Sequence, residues 1–282
     1  MGDLIPLFPL GSPLFPGIVL PLHVFEPRYR ALVRDLQALP EGSGRRFFGV
    51  VAIRQGWEVE RVAPAEALYD VGCSAVVQAV RPQPDGGFGV VTVGGDRFRL
   101  LEVVVGEDPP YLQAEVEWLS EEEAAEEAAG DQEEVLNSPA AGGSGLDEGL
   151  VREVASGSLD VLHRGVGGLF TRYVTAVAGL QAGLGQDEAG EAAAELAESD
   201  LDPTGVGALL QAVGDDPRAL SYLVASAALL TTEDRQALLA ESATRRRLVA
   251  ESRMLRRELT LLESVGAVPV PLHQFAGPSS LN

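Results

Sequence analysis

The side chains best suited to metal binding or nucleophilic catalysis are few and scattered in this 282-residue chain. The three histidines and the single cysteine are His23, His163, His273 and Cys73. Structural zinc sites use ligands in closely spaced pairs, so this set does not predict a metal site. Cys73 lies in an apolar run between Gly72 and Ser74, which predicts a buried, inert thiol. A lone cysteine permits no internal disulfide, which agrees with a reducing cytoplasm.

The basic residues exclude several further kinds of chemistry. All 21 are arginine, and the chain contains no lysine. A GxxxxGK[ST] phosphate loop, a Ser-Lys peptidase and a Schiff-base enzyme each need a lysine. The bend at Gly94, Gly95 and Asp96 is followed by a strand pattern, so we predict a hairpin feature there and not a phosphate cradle. These particular activities are therefore excluded, and the sequence gives no sign of a cofactor.

Charge and hydropathy narrow the possible partners. The formal net charge is −21, which opposes binding to nucleic acid or to an anionic membrane surface. Hydrophobic residues make up 46% of the chain, enough for a packed core, but no apolar stretch approaches the roughly 20 residues of a membrane span. The N-terminal segment has no secretory signal pattern. We expect a soluble, cytoplasmic protein.

Residues 17–36, GIVLPLHVFEPRYRALVRDL, predict a strand that leads directly into a helix. Proline suits the first turn of a helix, because its missing N–H would have no partner there, so Pro27 marks the start. Beyond it, apolar residues follow the i, i+3, i+4, i+7 spacing of one buried stripe. The stripe comprises Tyr29, Leu32, Val33 and Leu36.

Several short strand patterns surround this helix and predict a mixed barrel of about 120 residues. Pro6 and Pro9 predict that the first strand lies at an edge or only leads into the sheet. Apolar residues on both faces predict a central strand over 45–53. Asp85-Gly86 predicts a hairpin turn between the strand patterns at 68–82 and 88–105, the latter being two strands around Gly94-Gly95. Alternation predicts a half-exposed strand over 111–119.

The second half of the chain is predicted to be helical. Residues 120–149 are acidic and then rich in small residues, which predicts a flexible linker. Helices are predicted over 151–166 and 169–180, after Pro203 and Pro217, and as one long helix over 231–264. The predicted division is 1–119 for the barrel, 120–149 for the linker, 150–266 for the helical subdomain and 267–282 for a tail.

Several segments, in order, resemble the N-terminal substrate-binding domain of the Lon protease. They are PLFPL, LPLHVFEPRYRALVRDL, GCSAVVQAV, PDGGFGVVTVGGDRFRLLEV, PYLQAEVEWL, DRQALLAE and RRLVAESRMLRRELTLLE. The resemblance implies an α+β fold, with a PUA-like mixed β pseudo-barrel and one early helix over 4–119. An α-helical bundle ending in a long helix follows over 150–264. In full-length Lon this region precedes an ATPase module and a Ser-Lys peptidase. This chain ends soon after the long helix, so we expect a free-standing domain without those modules.

The resemblance also implies a function. It implies a non-catalytic module that binds unfolded or tagged protein segments, with delivery to a separate ATP-dependent protease as a further step. The predicted peptide contacts lie around the first helix and in the loop before it: Phe15, Phe25, Glu26, Arg28, Tyr29 and Leu32. Glu26 and Arg28 have a second interpretation, in which they only cap the helix start and pair with each other.

Two alternatives remain open at this stage. The predicted barrel could enclose a small-molecule site, which would make the protein a sensing or weakly hydrolytic domain, and a deep pocket lined by His23, Tyr69 or Arg97 would support this alternative. The chain could also be a scaffold that associates through the leucine seam of its last helix, although packing within the bundle explains that seam as well. The oligomeric state is not predicted.

Overall fold

The computed structural model describes residues 2–40, 42, 44–54, 67–106, 108–120, 148–184 and 203–265. Within these residues the chain forms six strands and six helices, which makes it an α+β protein. The strands are β1 (Asp3–Leu10), β2 (Val19–Val24), β3 (Phe47–Ala52), β4 (Val71–Pro82), β5 (Phe88–Val104) and β6 (Gln113–Leu119). The helices are α1 (Pro27–Ala38), α2 (Glu148–Leu184), α3 (Pro203–Val213), α4 (Pro217–Ala227), α5 (Thr232–Ala240) and α6 (Thr244–Val265).

The chain divides into two compact units, and each unit is made of two separate segments of the sequence. The sheet unit contains residues 1–121 and 232–242, and the helical unit contains residues 122–231 and 243–282. The predicted helical subdomain covers 150–266, so the structure groups one of its segments, 232–242, with the sheet. The predicted linker over 120–149 lies almost wholly outside the described residues, and so does the predicted tail.

The strands of the sheet unit form one mixed sheet in the order β2-β5-β4-β3-β1-β6. An additional pairing joins β5 to β6, so the pairings from β1 through β3, β4, β5 and β6 form a closed circuit. Strand β3 lies between β4 and β1, which confirms the predicted central position of this segment. A core lies against these strands, with fully buried side chains that include Leu7, Val51 and Phe98.

The prediction that the first strand lies at an edge or outside the sheet is wrong, because β1 has a neighbour on each side. Its first half pairs antiparallel with β6, from Asp3 to Pro6. Its second half pairs parallel with β3, from Leu7 to Leu10. Each proline therefore lies in a half whose register joins it to one neighbour, so a missing N–H is tolerated.

The prediction of two strands around Gly94 and Gly95 is also wrong. Strand β5 runs without a break over 17 residues, pairing with β2 through its first half and with β6 through its second. Steric space explains the glycines. A Cβ at Gly94 would collide with the carbonyl oxygen of Phe15, and one at Gly95 would lie 2.6 Å from the Oγ of Ser74.

The strand-to-helix join around Pro27 is confirmed. Helix α1 begins at Pro27, and its buried residues are the four of the predicted stripe. The hairpin between β4 and β5 is confirmed as well. The N–H of Gly86 donates to the carbonyl of Gln83 at 3.0 Å, and the positive φ of 80° at Gly86 explains the glycine.

The helical unit contains a long helix where two shorter ones were predicted. Helix α2 runs for 37 residues through Gly165, Gly167 and Gly168. Glycine weakens a helix by roughly 1 kcal/mol relative to alanine but does not end it when packing supports the flanks. Val166, within this run, and Phe170, just after it, are buried in the core of the unit. Packing therefore overrides local propensity here.

The single helix predicted over 231–264 is wrong, because the chain breaks between α5 and α6. Helix α5 belongs to the sheet unit, where the Arg97 guanidinium donates to the carbonyl oxygens of Leu239 and Glu241 at 2.8 and 3.2 Å. These contacts hold the C-terminal end of α5, where the last carbonyl groups have no N–H partner within the helix. Helix α6 then places the predicted seam residues Leu248, Leu255, Leu259 and Leu262 in the helical core.

Candidate functional site

The predicted peptide contacts separate into an exposed group and a buried group. Phe25, directly after β2, is 64% exposed and is the most exposed large apolar side chain among the described residues. Next to it, the Arg28 Nε lies 2.9 Å from a Glu26 carboxylate oxygen, and both side chains are partly exposed. This pair agrees with the interpretation of Glu26 and Arg28 as partners at the helix start. Glu26 makes no side-chain cap bond to α1.

The other three predicted contacts are core residues. Phe15 is fully buried, Leu32 is nearly so, and Tyr29 is 5% exposed. The Tyr29 ring stacks on Phe8 with centroids 4.0 Å apart, and the Arg28 guanidinium lies over the same ring at 4.6 Å. Burial raises the pKa of the Tyr29 hydroxyl. These three residues can influence a ligand by supporting the surface, and direct contact by them remains a prediction.

The structure adds an exposed apolar surface that the sequence analysis missed. Residues directly opposite each other in paired strands point to the same face of a sheet. The pairing places Val19 beside Val93, and Val93 beside Val76. A second row runs from Pro21 through Val91 to Ala79. We call these six side chains of β2, β5 and β4 the outer face.

The outer face is open to solvent. Val19 is 59% exposed, Val76 is 40% exposed and Val91 is 39% exposed, and Pro21 and Ala79 are exposed as well. Single exposed apolar residues are ordinary on protein surfaces, but neighbouring ones that form a patch are typical of binding sites. The signal in the sequence was the presence of apolar residues at both parities in the three strands, because a strand with one solvated face normally alternates.

A polar cluster lies at the hairpin end of this surface. The His23 ring is 5.9 Å from the Phe25 ring, and its Nε2 lies 2.9 Å from an Asp85 carboxylate oxygen. The N–H of Gly87 donates to Asp85, and this bond together with nearby His23 lowers the pKa of that carboxyl. Arg30 of α1 donates to the Gly86 carbonyl at 3.2 Å. These contacts fix the hairpin turn beside Phe25.

The residues proposed for a small-molecule site have separate partners in the structure. A pocket of about 220 Å³ lies beside α1, lined in part by Val33, Leu36, Val80 and Val90. His23, Tyr69 and Arg97 do not line it. His23 instead pairs with Asp85, the Arg54 guanidinium lies 5.1 Å from the Tyr69 ring, and Arg97 is buried against α5.

Cys73 is fully buried, which confirms the prediction of a buried thiol. Its side chain contacts the carbonyl oxygens of Ser74 and Gly95, and burial raises its pKa. Across the described ranges, no three His, Cys, Asp or Glu side chains are placed to hold a metal ion. None of the helices in those ranges is both long enough and apolar enough to span a membrane.

Fold and surface together define a small mixed sheet with an apolar outer face and an early amphipathic helix. The family described as the ATP-dependent protease La (LON) substrate-binding domain matches residues 4–257. The chain belongs to this family, as the resemblance of its motifs predicted.

Curated relatives agree with this assignment. Lon protease 1 of Herpetosiphon aurantiacus is 28% identical over 264 residues, which cover 93% of this chain and 25% of that protein. Lon protease 2 of Sorangium cellulosum is 37% identical over 122 residues, which cover 43% of this chain and 14% of that protein. The chain therefore spans a quarter or less of the length of these relatives.

Solved structures of Lon N-terminal domains are also similar to the chain. The crystal structure of a Lon N-terminal domain protein from Xanthomonas campestris covers 90% of this chain at 20% identity, with a TM-score of 0.46 and 98% of that chain covered. The N-terminal domain of the Mycobacterium avium complex Lon protease covers 90% of this chain at 18% identity, with a TM-score of 0.43 and 98% of that chain covered.

Proposed function

We propose that this protein is a non-catalytic recognition module that binds exposed apolar segments of unfolded or tagged proteins through the outer face and Phe25. The observation that carries the proposal is the exposure of Phe25 at the end of an apolar sheet face in a member of the Lon substrate-binding family. Unfolded chains expose the apolar side chains that folded proteins bury, so such a surface favours them over native proteins.

The proposal also includes delivery of the bound segment to a protease. The module works in the cytoplasm and presents its clients to a separate ATP-dependent protease. The family supports this step, because its model describes the substrate-binding domain of an ATP-dependent protease and similar proteins such as that of Herpetosiphon aurantiacus are Lon proteases. The closed circuit of strand pairings is compatible with the PUA-like pseudo-barrel implied by the resemblance. In such an architecture the sheet is a rigid support for the face.

A small-molecule site has weaker support. Ligand pockets in proteins usually exceed about 300 Å³, and the pocket beside α1 is smaller. The residues expected to line such a site are engaged with separate partners. Recognition of a chain segment on an open surface therefore fits the described residues better.

The proposal is tested by binding of a fluorescently labelled protein that has been reduced and carboxymethylated so that it cannot refold. Fluorescence anisotropy should show saturable binding, and the native form of the same protein should not bind. Burying a phenylalanine side chain contributes about 2 kcal/mol, so Phe25→Ala should weaken binding at least tenfold.

The matched control is Leu101→Ala. Leu101 is 52% exposed on the same unit but lies in the half of β5 that pairs with β6, away from the outer face. We expect Leu101→Ala to leave affinity within twofold. Equal losses from both variants would remove Phe25 from the surface, and absence of saturable binding by the wild type would overturn the function itself.

A further inference from the structure

Strand β2 stands at one end of the strand order and has an unpaired edge. It pairs with β5 along its whole length, from Val19 opposite Val93 to Val24 opposite Phe88. Among the residues that the structure describes, no strand pairs with its other edge. An unpaired edge presents backbone N–H and C=O groups that can bind another extended chain.

The register shows which backbone groups face outward. The N–H of Gly94 donates to the carbonyl of Ile18 at 2.9 Å. Backbone groups alternate between the two edges along a strand, so those of Leu20 and Leu22 point toward β5, as does the Leu20 carbonyl that accepts from the Thr92 hydroxyl at 3.0 Å. The groups of Val19, Pro21 and His23 consequently point to the unpaired edge.

The outward edge has a defined hydrogen-bonding capacity. Val19 and His23 each offer an N–H and a C=O, and Pro21 offers a C=O only because proline has no N–H. The proline sits where its missing donor does not disturb the pairing with β5. An added strand can therefore form up to five backbone hydrogen bonds with three residues of β2.

The side chains along this edge indicate the chemistry of the added strand. Val19, Pro21 and His23 are exposed on one face, and Leu20 and Leu22 are half-buried on the other. A strand beside β2 would cover apolar side chains on both of its faces. The partner that fits is an extended segment with apolar residues at successive positions, which unfolded proteins supply and folded surfaces do not.

We propose that β2 binds its client by strand addition, so that an extended apolar segment of an unfolded protein becomes the next strand of the sheet beside Val19, Pro21 and His23. This inference rests on the proposed function and specifies how the client is held. Main-chain bonds would give affinity without a fixed sequence, and the flanking apolar side chains would select hydrophobic segments.

A second copy of the chain fits this edge less well than a client does. In a symmetric pair of β2 strands, each copy would lack an N–H donor at Pro21, so the pair would lose two hydrogen bonds. A client loses only one of them, and it can choose its register. Proline at an edge is a known means of preventing such self-association.

One test removes an outward donor without removing apolar surface. Val19→Pro deletes the outward N–H at the first residue of the strand, where proline is tolerated, and Val19→Ala keeps that N–H on a smaller side chain. With the carboxymethylated protein as probe, we expect Val19→Pro to bind about fivefold more weakly than Val19→Ala. Both variants should show the thermal unfolding of the wild type. Equal affinity of the two folded variants would overturn strand addition.

A second test leaves the protein unchanged and is decisive even if Val19→Pro does not fold. Two short Val/Ile peptides of the same sequence carry the same number of N-methyl groups. In one they block alternate amides on a single edge of the extended peptide, and in the other they block amides on both edges. Strand addition predicts that the first peptide binds and that the second binds at least tenfold more weakly. Equal binding of both peptides would overturn it.

The outcomes separate the two proposals. If the carboxymethylated protein does not bind the wild type, the proposed function fails. If it binds and the two peptides behave alike, the function stands and clients dock on the outer face by side chains alone. If sedimentation shows a dimer that Val19→Pro abolishes, β2 serves a second copy, and the inference is overturned.

Discussion

Both units of the molecule bury an arginine, and the two arginines are satisfied in different ways. In the sheet unit, Arg97 is 1% exposed and donates to the carbonyl oxygens of Leu239 and Glu241. It also lies 3.2 Å from the hydroxyl of Ser242. Its contacts are largely with backbone groups at the end of α5, where the negative end of the helix dipole favours a cation.

In the helical unit, the buried arginine contacts side chains. Arg247 is fully buried on α6, and its Nε donates to the Ser221 hydroxyl at 2.7 Å. The guanidinium also lies 4.1 Å from the centre of the Tyr222 ring. One turn further along α6, Glu251 is fully buried, and among the described residues neither of its carboxylate oxygens has a hydrogen-bond partner.

The two units differ in how well they compensate a buried charged group. Fixed backbone dipoles compensate the buried charge in the sheet unit, so Arg97 connects residues that are 142 positions apart and stabilises the fold. The helical unit buries the carboxyl of Glu251, which receives no hydrogen bond from the part of the chain that the structure describes. Burial therefore raises the pKa of Glu251 well above its usual range, and nearby Arg247 opposes this only partly. Stability of the helical unit should consequently depend on pH.

The largest effect is expected from Arg97→Met. The substitution leaves the carbonyls of Leu239 and Glu241 without that donor, so we expect the free energy of unfolding of the sheet unit to fall by about 3 kcal/mol. Both tryptophans, Trp57 and Trp118, fall within the sequence range of this unit, so urea unfolding followed by tryptophan fluorescence reports on it.

The control for this variant is Arg99→Met, two residues along the same strand. Arg99 is exposed and pairs with Glu117 at 3.0 Å, and exposed ion pairs contribute about 0.5 kcal/mol. The difference between the two variants measures what backbone compensation contributes. Equal losses would show that the backbone contacts of Arg97 contribute no more than an exposed ion pair does.

A smaller effect of opposite sign is expected from Glu251→Leu. A carboxyl whose folded pKa is raised contributes full stability below its unfolded pKa, about 4.3, and loses it as pH rises toward the folded value. Leucine does not ionise, so the variant should be more stable than the wild type at pH 8 by about 2 kcal/mol. The gain should shrink toward pH 5.

Urea unfolding followed by helical circular dichroism at both pH values checks this prediction. The control is Glu263→Leu, an exposed position on the same helix that pairs with Arg172 at 3.6 Å. Its effect should be small, because exposed ion pairs contribute little. Parallel pH profiles for the wild type and Glu251→Leu would contradict the assignment of a protonated carboxyl in the helical core.

Local patterns predicted the parts of the fold that depend on neighbouring residues. The stripe on α1 and the turn at Gly86 follow from spacing and from the conformational freedom of glycine, and both are confirmed. The uninterrupted course of β5 could not be read in the same way. In the sequence, Gly94 looks like a bend. In the structure, glycine is required there because a Cβ would collide with the carbonyl oxygen of Phe15, which is distant along the chain.

The candidate site was predicted only in part, for the same reason. Phe25 was identified because it stands at a strand-to-helix join that is visible in the sequence. The outer face depends on which residues of three strands lie opposite one another, and that register is set by the whole sheet. At the break between α5 and α6, the last carbonyl groups of α5 bind Arg97, and no local pattern reveals these partners.

The smallest effects are expected at two tyrosines, one in each unit. They test whether the loss of a partner for a backbone N–H costs more stability than the loss of a partner for a charged carboxylate. The Tyr173 hydroxyl accepts the N–H of Leu229 at 3.1 Å in the helical unit. The Tyr111 hydroxyl donates to a carboxylate oxygen of Asp35 at 2.9 Å in the sheet unit. Tyr173→Phe leaves the Leu229 N–H without that acceptor, so we expect a loss of about 1 kcal/mol.

Tyr111→Phe should cost less, although its bond is the charged one, because Asp35 is exposed and water can replace the hydroxyl. Helical circular dichroism measures the first variant, and tryptophan fluorescence measures the second. A larger loss for Tyr111→Phe would mean that the charge of the acceptor matters more than the burial of the group left behind. In that case the charge of the partner groups, and not backbone compensation, would have to explain the difference between Arg97 and Arg247.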